Sequence, residues 1–357
     1  MKMFSRITIQ LIGGANVASI LLMLLVGHAD AIHPEAFPRL SNMGLVFPLL
    51  LAINFCFLVL WVLLKPRYVL IPLLGFMVCY GPVRRYMPIN APHEPPEGCI
   101  KVLSYNVWYF AGWENRDRPN PILEYIKDQD ADIVCLQESA ENEVGSHQVD
   151  SILSPVYRHK DTLMYNSDCL TVFSKFPILS HERIAYESKG NMSAAFRLDV
   201  EGREVIVVNN HLETTGLSLE EKDRFKALVK GKLKTDTAAQ TSKWLIAHLG
   251  EQTRKRASQA EAVARYVAYN SGTPMIVCGD FNDSPISYAR KTIAKGLTDC
   301  YVSTANGPGI SYHKSGIFVR IDNIFCSDDF EPYACHVDNG IGNSDHYPIV
   351  CWLRMRK

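Results

Sequence analysis

The chain has 357 residues, enough for two or three domains or for one large domain with an appendage, and its formal net charge is zero. Neutrality hides an uneven distribution, because residues 98–357 carry 30 Lys/Arg against 33 Asp/Glu, a net charge of −3. This part is therefore not the generally basic body expected of a broad nucleic-acid binder. Ten cysteines without a CxxC pair indicate neither a zinc site nor a disulfide framework.

Two long apolar runs near the N-terminus predict membrane spans. Residues 7–27 and 43–64 contain no charged side chain, and each run can cross a hydrocarbon core of about 30 Å. A third uncharged run, residues 68–83, is shorter and is interrupted by Pro72 and Gly75. It is either a short third span or a re-entrant or interfacial segment. We expect a transmembrane region over residues 1–83.

The basic residues beside these runs bear on orientation. Lys2 and Arg6 favour a cytoplasmic N-terminus. Two spans would then keep the C-terminal domain inside the cell, and three would place it outside. Arg84 and Arg85 argue against export, whereas the apolar length of the third run favours it. We expect three spans in a bacterial inner membrane, with an extracytoplasmic C-terminal domain.

Beyond the apolar region the sequence alternates between strand and helix patterns. Residues 84–99 are proline-rich and predict a semi-stiff linker, so the soluble domain is expected to be 100–357. Strands are predicted at 100–105, 132–137, 170–173, 193–200, 204–210, 275–278, 318–321 and 349–353. Helices are predicted at 121–129 and 285–294, and in two or three pieces over 218–270. Together these patterns predict an α/β domain.

One stretch of the soluble domain is strongly basic. Residues 220–256 hold ten Lys/Arg and five Asp/Glu. A solvated helix surface is the simpler interpretation of such a stretch, and a ligand-binding patch is the alternative.

Polar side chains recur where the predicted strands end. Met275–Cys278 forms an apolar strand, after which Asp280 and Asn282 follow at i and i+2, on the same side of an extended backbone. The full set is Asn106, Glu138, His211, Asp280, Asn282, Asp322, Asp345 and His346. Taken singly, each has a plainer explanation as a turn former or a structural residue.

The composition of the set indicates its chemistry. Oxygen donors suit Mg²⁺, with Mn²⁺ as the alternative, better than they suit zinc. An Asp–His pair can supply a general base for water, and a second histidine can donate a hydrogen bond to a phosphate oxygen. The sequence therefore predicts metal-assisted hydrolysis of a phosphodiester.

The motifs around these residues resemble a known family. Leu-Ser-Tyr-Asn106-Val, Leu-Gln-Glu138, Asn-Asn-His211-Leu, Gly-Asp280-Phe-Asn282, Arg-Ile-Asp322 and Ser-Asp345-His346-Tyr-Pro look like the ordered motifs of the endonuclease/exonuclease/phosphatase (DNase I-like) superfamily. The resemblance covers about residues 99–357. It implies a four-layer α/β sandwich, two mixed β-sheets flanked by helices, preceded here by the α-helical transmembrane unit.

The resemblance also implies roles for single residues. Glu138 would be the principal metal ligand, helped by Asn106 and Asp345. Asp280 would position or activate the attacking water, and Asn282 would hold a phosphate oxygen. His346, oriented by Asp322, would be the general base or a phosphate-binding imidazole, and His211 would bind the scissile phosphate.

The function expected is that of a membrane-anchored, metal-dependent phosphoesterase with nuclease activity. The alternative substrate is a lipid or small phosphoester, as in sphingomyelinase-like or inositol-phosphatase-like members. A different hypothesis for the function is a non-catalytic membrane binding module. An insertion of roughly 40 residues between His211 and Arg256, together with the membrane unit, argues against a role in DNA repair. The sequence implies no protein partner.

Overall fold

The computed structural model describes residues 2–113, 119–314 and 316–356. It shows two six-stranded mixed β-sheets packed face to face, helices on their outer faces, and an N-terminal helical unit. The predicted four-layer α/β sandwich is confirmed.

The first sheet contains strands from both ends of residues 100–357. Its strands are β1 (Ile100–Asn106), β2 (Ile133–Gln137), β3 (His159–Tyr165), β4 (Asp168–Ser174), β11 (Phe330–Val337) and β12 (Ile349–Met355). Their order across the sheet is β11-β12-β1-β2-β4-β3.

The second sheet is built mainly from the middle of the chain. Its strands are β5 (Ile178–Ile184), β6 (Met192–Val200), β7 (Arg203–His211), β8 (Met275–Asp280), β9 (Thr298–Asp299) and β10 (Asp322–Cys326), in the order β5-β6-β7-β8-β10-β9. β7 and β8 are parallel and place His211 beside Asp280. β1 and β2 are also parallel and place Asn106 beside Gln137, directly before Glu138. Parallel pairing therefore brings the ends of four strands to the same edge of the sandwich.

Helices cover both outer faces. The helices of this region are α6 (Pro121–Gln129), α7 (Ser146–Leu153), α8 (Leu219–Val229), α9 (Thr235–Tyr269), α10 (Tyr288–Ile293) and α11 (Cys300–Thr304), of which α11 adds Cys300 and Tyr301 to the core between the sheets. α6 and α7 pack on the first sheet through Leu123 and Val149, and α9 and α10 pack on the second through Val263 and Ile293. Between the sheets lies a separate core of apolar side chains. The predicted helical region 218–270 is α8 and α9.

One predicted strand is displaced. Residues 318–321 were expected to form a strand leading to Asp322, but the strand begins at Asp322 and runs to Cys326. Val319 makes only an isolated bridge to Tyr312, so its backbone bonds to a loop and not to a strand of the sheet. Asp322 therefore opens β10 and lies opposite Asp280 in the antiparallel register.

The strands that the sequence analysis missed are polar. They are β3, β5, β9 and β11, the outermost strands of the two sheets, and their residues are mostly exposed or half-buried. Such strands lack the continuous apolar run of a buried strand, so their pattern is weak.

The N-terminal unit consists of α1 (Lys2–Gly27), α2 (Pro38–Ser41), α3 (Phe47–Leu64), α4 (Leu70–Val78) and α5 (Tyr80–Tyr86). Two helical stretches, Arg6–Ala31 and Pro38–Leu64, are long and apolar enough to cross a membrane. α4 and α5 meet at a bend of 73° and together could make a third crossing. Asn16 and Asn54 are buried inside the unit and joined by a hydrogen bond, in which Asn16 Nδ2 donates to Asn54 Oδ1 at 3.3 Å.

The helical unit is docked on the sandwich. Arg85 Nη1 lies 2.5 Å from Asp30 Oδ2, and Asp30 also pairs with Lys291 of α10 at 3.2 Å. A Cβ at Gly44 would lie 2.0 Å from the carbonyl oxygen of Ile286, so the backbones touch. Residues 84–86, expected in the linker, belong to α5.

Candidate active site

The predicted site residues gather around one carboxylate oxygen at the edge where the sheets meet. Asp280 Oδ2 accepts hydrogen bonds from Asn106 Nδ2 at 3.1 Å and from Asn282 Nδ2 at 3.3 Å. His346 Nε2 lies 3.6 Å from the same oxygen, and His211 Nε2 lies 3.9 Å from it. Asp280 is buried, so these neighbours replace the water that a carboxylate would otherwise bind.

His346 is held by Asp322, as the sequence predicts. Its Nδ1 lies 2.9 Å from Asp322 Oδ2, and the ring of Tyr312 packs edge-on against it at 5.1 Å. The second oxygen, Asp322 Oδ1, is buried and makes no hydrogen bond with any residue that the structure describes. The contact between His346 Nδ1 and Asp322 Oδ2 fixes the imidazole ring with its Nε2 directed at Asp280.

His211 has a carboxylate partner that the sequence analysis missed. Asp168, the first residue of β4, places Oδ1 2.9 Å from His211 Nδ1 and accepts the Met192 backbone N–H through Oδ2. Asp168 begins its strand, whereas the polar residues predicted for the site follow the predicted strands. A carboxylate directly before the apolar run 169–173 was the available signal.

Glu138 and Asn282 both lie in the left-handed region of backbone conformation, with φ of 50° and 51°. Non-glycine residues rarely adopt this conformation, and they do so most often at functional sites. Glu138 Oε1 accepts from Asn106 Nδ2 at 3.1 Å, and its side chain is 23% exposed. Asn282 donates its backbone N–H to Asp280 Oδ1 at 2.8 Å and its side-chain amide to the Leu212 carbonyl.

Asp345 lies at the margin of this set. Its side chain is half-buried and forms no hydrogen bond among the described residues, although its charge helps to raise the pKa of His346. Ser344 Oγ of the same motif donates to the Asn106 carbonyl at 2.7 Å and ties the loop to β1.

The charges in the site act strongly on one another. Burial by itself lowers the pKa of His211, but the Asp168, Glu138 and Asp280 carboxylates outweigh it and raise the pKa to about 10. Burial likewise opposes the charge on His346, and Asp322 and Asp280 raise its pKa to about 10. Burial raises the pKa of Asp280 to about 6 despite the two imidazoles beside it. The carboxylates therefore favour the protonated, hydrogen-bond-donating form of both imidazoles.

A basic and aromatic rim adjoins the site, and one of its members, Lys222, belongs to the basic stretch for which the sequence left a ligand-binding patch as the alternative. Lys222 of α8 places Nζ 3.3 Å from the hydroxyl of Tyr312, the residue that packs on His346. Lys314 lies over the ring of Trp108, 5.3 Å from its centroid, and Trp108 contacts Trp113 edge-on at 4.6 Å. The helix formed by the basic insertion thus reaches the site.

The donor set fits a divalent cation. Asp280, Asp322 and His346 can each offer an atom within 4.8 Å of the others, and Glu138 adds a partly exposed carboxylate. Asp322 has a second oxygen to offer, because its Oδ1 makes no hydrogen bond with any described residue. Asn106 turns its NH₂ group, rather than its oxygen, toward both Glu138 and Asp280.

The fold, together with a site at the edge where the two sheets meet, defines a class of protein, the two-sheet α/β sandwich hydrolases of phosphoesters. The model of the Endonuclease/Exonuclease/phosphatase family matches residues 103–346, and the chain belongs to that family. Its members are phosphoester hydrolases that use divalent metals. Residues 9–86 match a separate domain of unknown function (DUF8431), and no curated protein is significantly similar in sequence.

Several solved structures share the fold. The human Nocturnin catalytic domain with bound sulfate is 18% identical, with 75% of this chain and 96% of that chain covered and a TM-score of 0.53. The family protein from Beutenbergia cavernae is also 18% identical, covering 72% of both chains with a TM-score of 0.51. That from Bacteroides vulgatus is 16% identical, covering 73% of this chain and all of its own, with a TM-score of 0.50.

Proposed function

We propose that this protein is a membrane-anchored, divalent-metal-dependent phosphodiesterase, with nucleic acid as its first candidate substrate. The observation that carries the proposal is the arrangement around Asp280, a buried carboxylate between two imidazoles that are each held by their own aspartate. An acceptor for a water proton and two donors for phosphate oxygens then face the same space.

In the proposed reaction a water oxygen forms a bond to phosphorus while the bond from phosphorus to the leaving oxygen breaks. The water proton passes to Asp280, whose Oδ2 is oriented by Asn106 and Asn282. His346 and His211 donate hydrogen bonds to the phosphate oxygens and stabilise the negative charge that develops there.

Glu138 is the residue we assign first to the metal, with Asn106 and Asp345 beside it. Glu138 remains partly exposed, whereas Asp322 and His346 already satisfy each other at 2.9 Å. When bound, the cation would neutralise phosphate charge and polarise the ester. Mg²⁺ is proposed first, with Mn²⁺ as the alternative, because the donors are mainly oxygens and Glu138 remains partly exposed to solvent, so the cation could keep several of its waters.

The rim favours a nucleic-acid substrate. Lys222 and Lys314 provide positive charge beside the site, and Trp108 with Trp113 provides aromatic surface. Single-stranded nucleic acids bind through such combinations of cations and stacking platforms.

A membrane phosphoester is the second candidate, because the helical unit docks close to the site. Gly44 touches the backbone of Ile286, four residues after Asn282. A catalytic edge held near a bilayer would have direct access to lipid headgroups.

Three crossings and an extracytoplasmic catalytic domain form part of the proposal. Gly75 packs on Ile20 and Gly27 packs on Pro82, so α4–α5 runs parallel to α1. Arg85 of α5 also donates to the Gly27 carbonyl at the end of α1. The chain would then leave the membrane on the side opposite Lys2, Arg6 and Lys65, which the positive-inside rule keeps in the cytoplasm.

The test is metal-dependent turnover by the purified full chain in nanodiscs. Plasmid DNA, single-stranded RNA, a sphingomyelin and phosphoinositide panel and an aryl phosphodiester would be compared, with Asp280→Ala as the inactive control. Cleavage of nucleic acid that disappears in the control supports the first candidate, and lipid turnover with inert DNA and RNA supports the second. Equal rates in the wild type and the control on every substrate would refute the proposed site.

A further inference from the structure

We infer that the basic hairpin, defined as residues 219–250 of α8 and the first half of α9, lies on the membrane surface and binds anionic lipid headgroups. The inference rests on the membrane anchoring in the proposed function and not on the proposed chemistry. Its partner is a lipid surface, to which the spans already tie the chain.

The first observation is continuity between the hairpin and the membrane unit. A Cβ at Gly250 would lie 3.1 Å from the carbonyl oxygen of Pro38, and Thr253 Oγ1 donates to Asn42 Oδ1 at 2.6 Å. Ile246 lies one turn before Gly250, and Lys243 two turns before it, on the same face of α9. The helix therefore leaves its contact with the membrane unit with an apolar and a basic side chain on the contacting face.

The second observation is exposed apolar surface where this contact occurs. Phe37, directly before α2, and Leu40, within α2, are 58% and 47% exposed. On the hairpin, Trp244 and Ile246 are 42% and 48% exposed. Large apolar and aromatic side chains at the end of a span are typical of the headgroup region of a bilayer.

The third observation is charge. Residues 224–243 contain six Lys/Arg and one Asp. In five of these residues the side-chain amine makes no hydrogen bond or ion pair with any described residue: Lys226, Lys230, Lys232, Lys234 and Lys243. The helix dipole accounts for lysines at the end of α8, but Lys232 and Lys234 lie beyond that helix. Unpaired lysines beside a membrane anchor are the feature that attracts anionic lipids.

Binding of the hairpin would also orient the active site. Lys222 of the same hairpin contacts Tyr312 at the rim. Headgroups held by the tip of the hairpin would therefore fix the opening of the site relative to the bilayer.

Hydrogen–deuterium exchange of the full chain in nanodiscs tests the inference. Discs of purely zwitterionic lipid would be compared with discs in which about a third of the lipid is anionic. We expect amides of residues 219–250 to exchange several-fold more slowly in the anionic discs. The Lys232→Gln/Lys234→Gln variant should lose much of that difference, because each lysine near an anionic surface changes binding by a factor of about five.

Lys127→Gln/Lys295→Gln removes the same number of charges elsewhere on the surface and should keep the difference. Equal exchange of 219–250 in both kinds of disc, or an equal loss in the two double variants, would overturn the inference. Exchange does not depend on turnover, so slower exchange in an inactive protein would refute the proposed reaction alone. Normal turnover without lipid-dependent exchange would refute the hairpin inference alone.

Discussion

At the scale of single residues, each imidazole of the site is held by a carboxylate from the opposite sheet. His211 ends β7 of the second sheet and is held by Asp168 of the first. His346 precedes β12 of the first sheet and is held by Asp322 of the second. These two pairs bridge the sheets at the catalytic edge, so the geometry of the site depends on how the sheets pack.

The pair that the sequence analysis missed gives the first prediction. Asp168→Asn should lower kcat roughly 10- to 100-fold, because the imidazolium of His211 loses the charge that orients and stabilises it. The measurement is kcat as a function of pH, in which the variant should lose its active form at lower pH than the wild type, since removing that carboxylate lowers the pKa of His211.

Asp161→Asn is the matched control. Asp161 makes the same kind of pair with His181, 2.6 Å from its Nδ1, on the exposed surface away from the site. Its kcat and pH profile should match the wild type, and an equal loss in both variants would remove the catalytic role of Asp168.

The second prediction concerns the other pair. His346→Ala should lower kcat by a factor of about 10² or more, because Nε2 faces the reacting centre. Asp322→Asn should act in the same direction but more weakly, since the imidazole remains. Wild-type rates in Asp322→Asn would contradict the orienting role.

The third prediction separates metal binding from the hydrolytic groups. Glu138→Gln should raise the Mg²⁺ concentration needed for half-maximal activity while the domain remains folded, because a neutral amide binds the cation more weakly. Metal titration of activity, with circular dichroism to check folding, measures both effects. An unchanged Mg²⁺ response would exclude Glu138 from the metal site.

At the scale of elements, α8 contacts the rim of the site through a residue near its N-terminus. Glu221 completes a capping box with Ser218 at its N-terminus, and Lys222 turns to Tyr312, whereas Lys226 lies one turn further along. The basic stretch was interpreted from the sequence as a solvated surface, and most of it is exposed. The contact of Lys222 with the rim depends on where the helix docks, which net charge cannot indicate.

The fourth prediction follows from that contact. Lys222→Gln should raise KM for an anionic substrate roughly two- to five-fold with little change in kcat, because a partly exposed cation contributes modestly to binding. Lys295→Gln removes one positive charge from an exposed position outside the hairpin and is the control, which should leave both constants unchanged. A fall in kcat without a change in KM would contradict a binding role for Lys222.

At the scale of the whole molecule, the N-terminal helical unit and the sandwich form a close backbone contact. Gly44→Ala should destabilise this contact by about 1–3 kcal/mol, because a methyl group would lie 2.0 Å from the Ile286 carbonyl oxygen. Thermal unfolding of the full chain should show a transition lowered by a few degrees. Gly14→Ala, at a position with nothing within 4 Å, should cause no such loss.

The sequence by itself determined the fold class and most of the candidate site. Buried strands such as β8 and β12 have continuous apolar runs, and the polar residues after or beside such strands were found from their position alone. Two apolar runs of membrane-spanning length were equally plain, because a bilayer sets a minimum length that few soluble segments match.

Only the tertiary structure decided which residues meet between the two sheets, and which meet between the N-terminal helical unit and the sandwich. Asp168 and His211 are 43 positions apart, and Lys222 and Tyr312 are 90 apart. No local periodicity encodes these contacts, since they arise from strand order, register and the packing of one layer on another. The polar edge strands and the docking of Gly44 on Ile286 stayed hidden for the same reason.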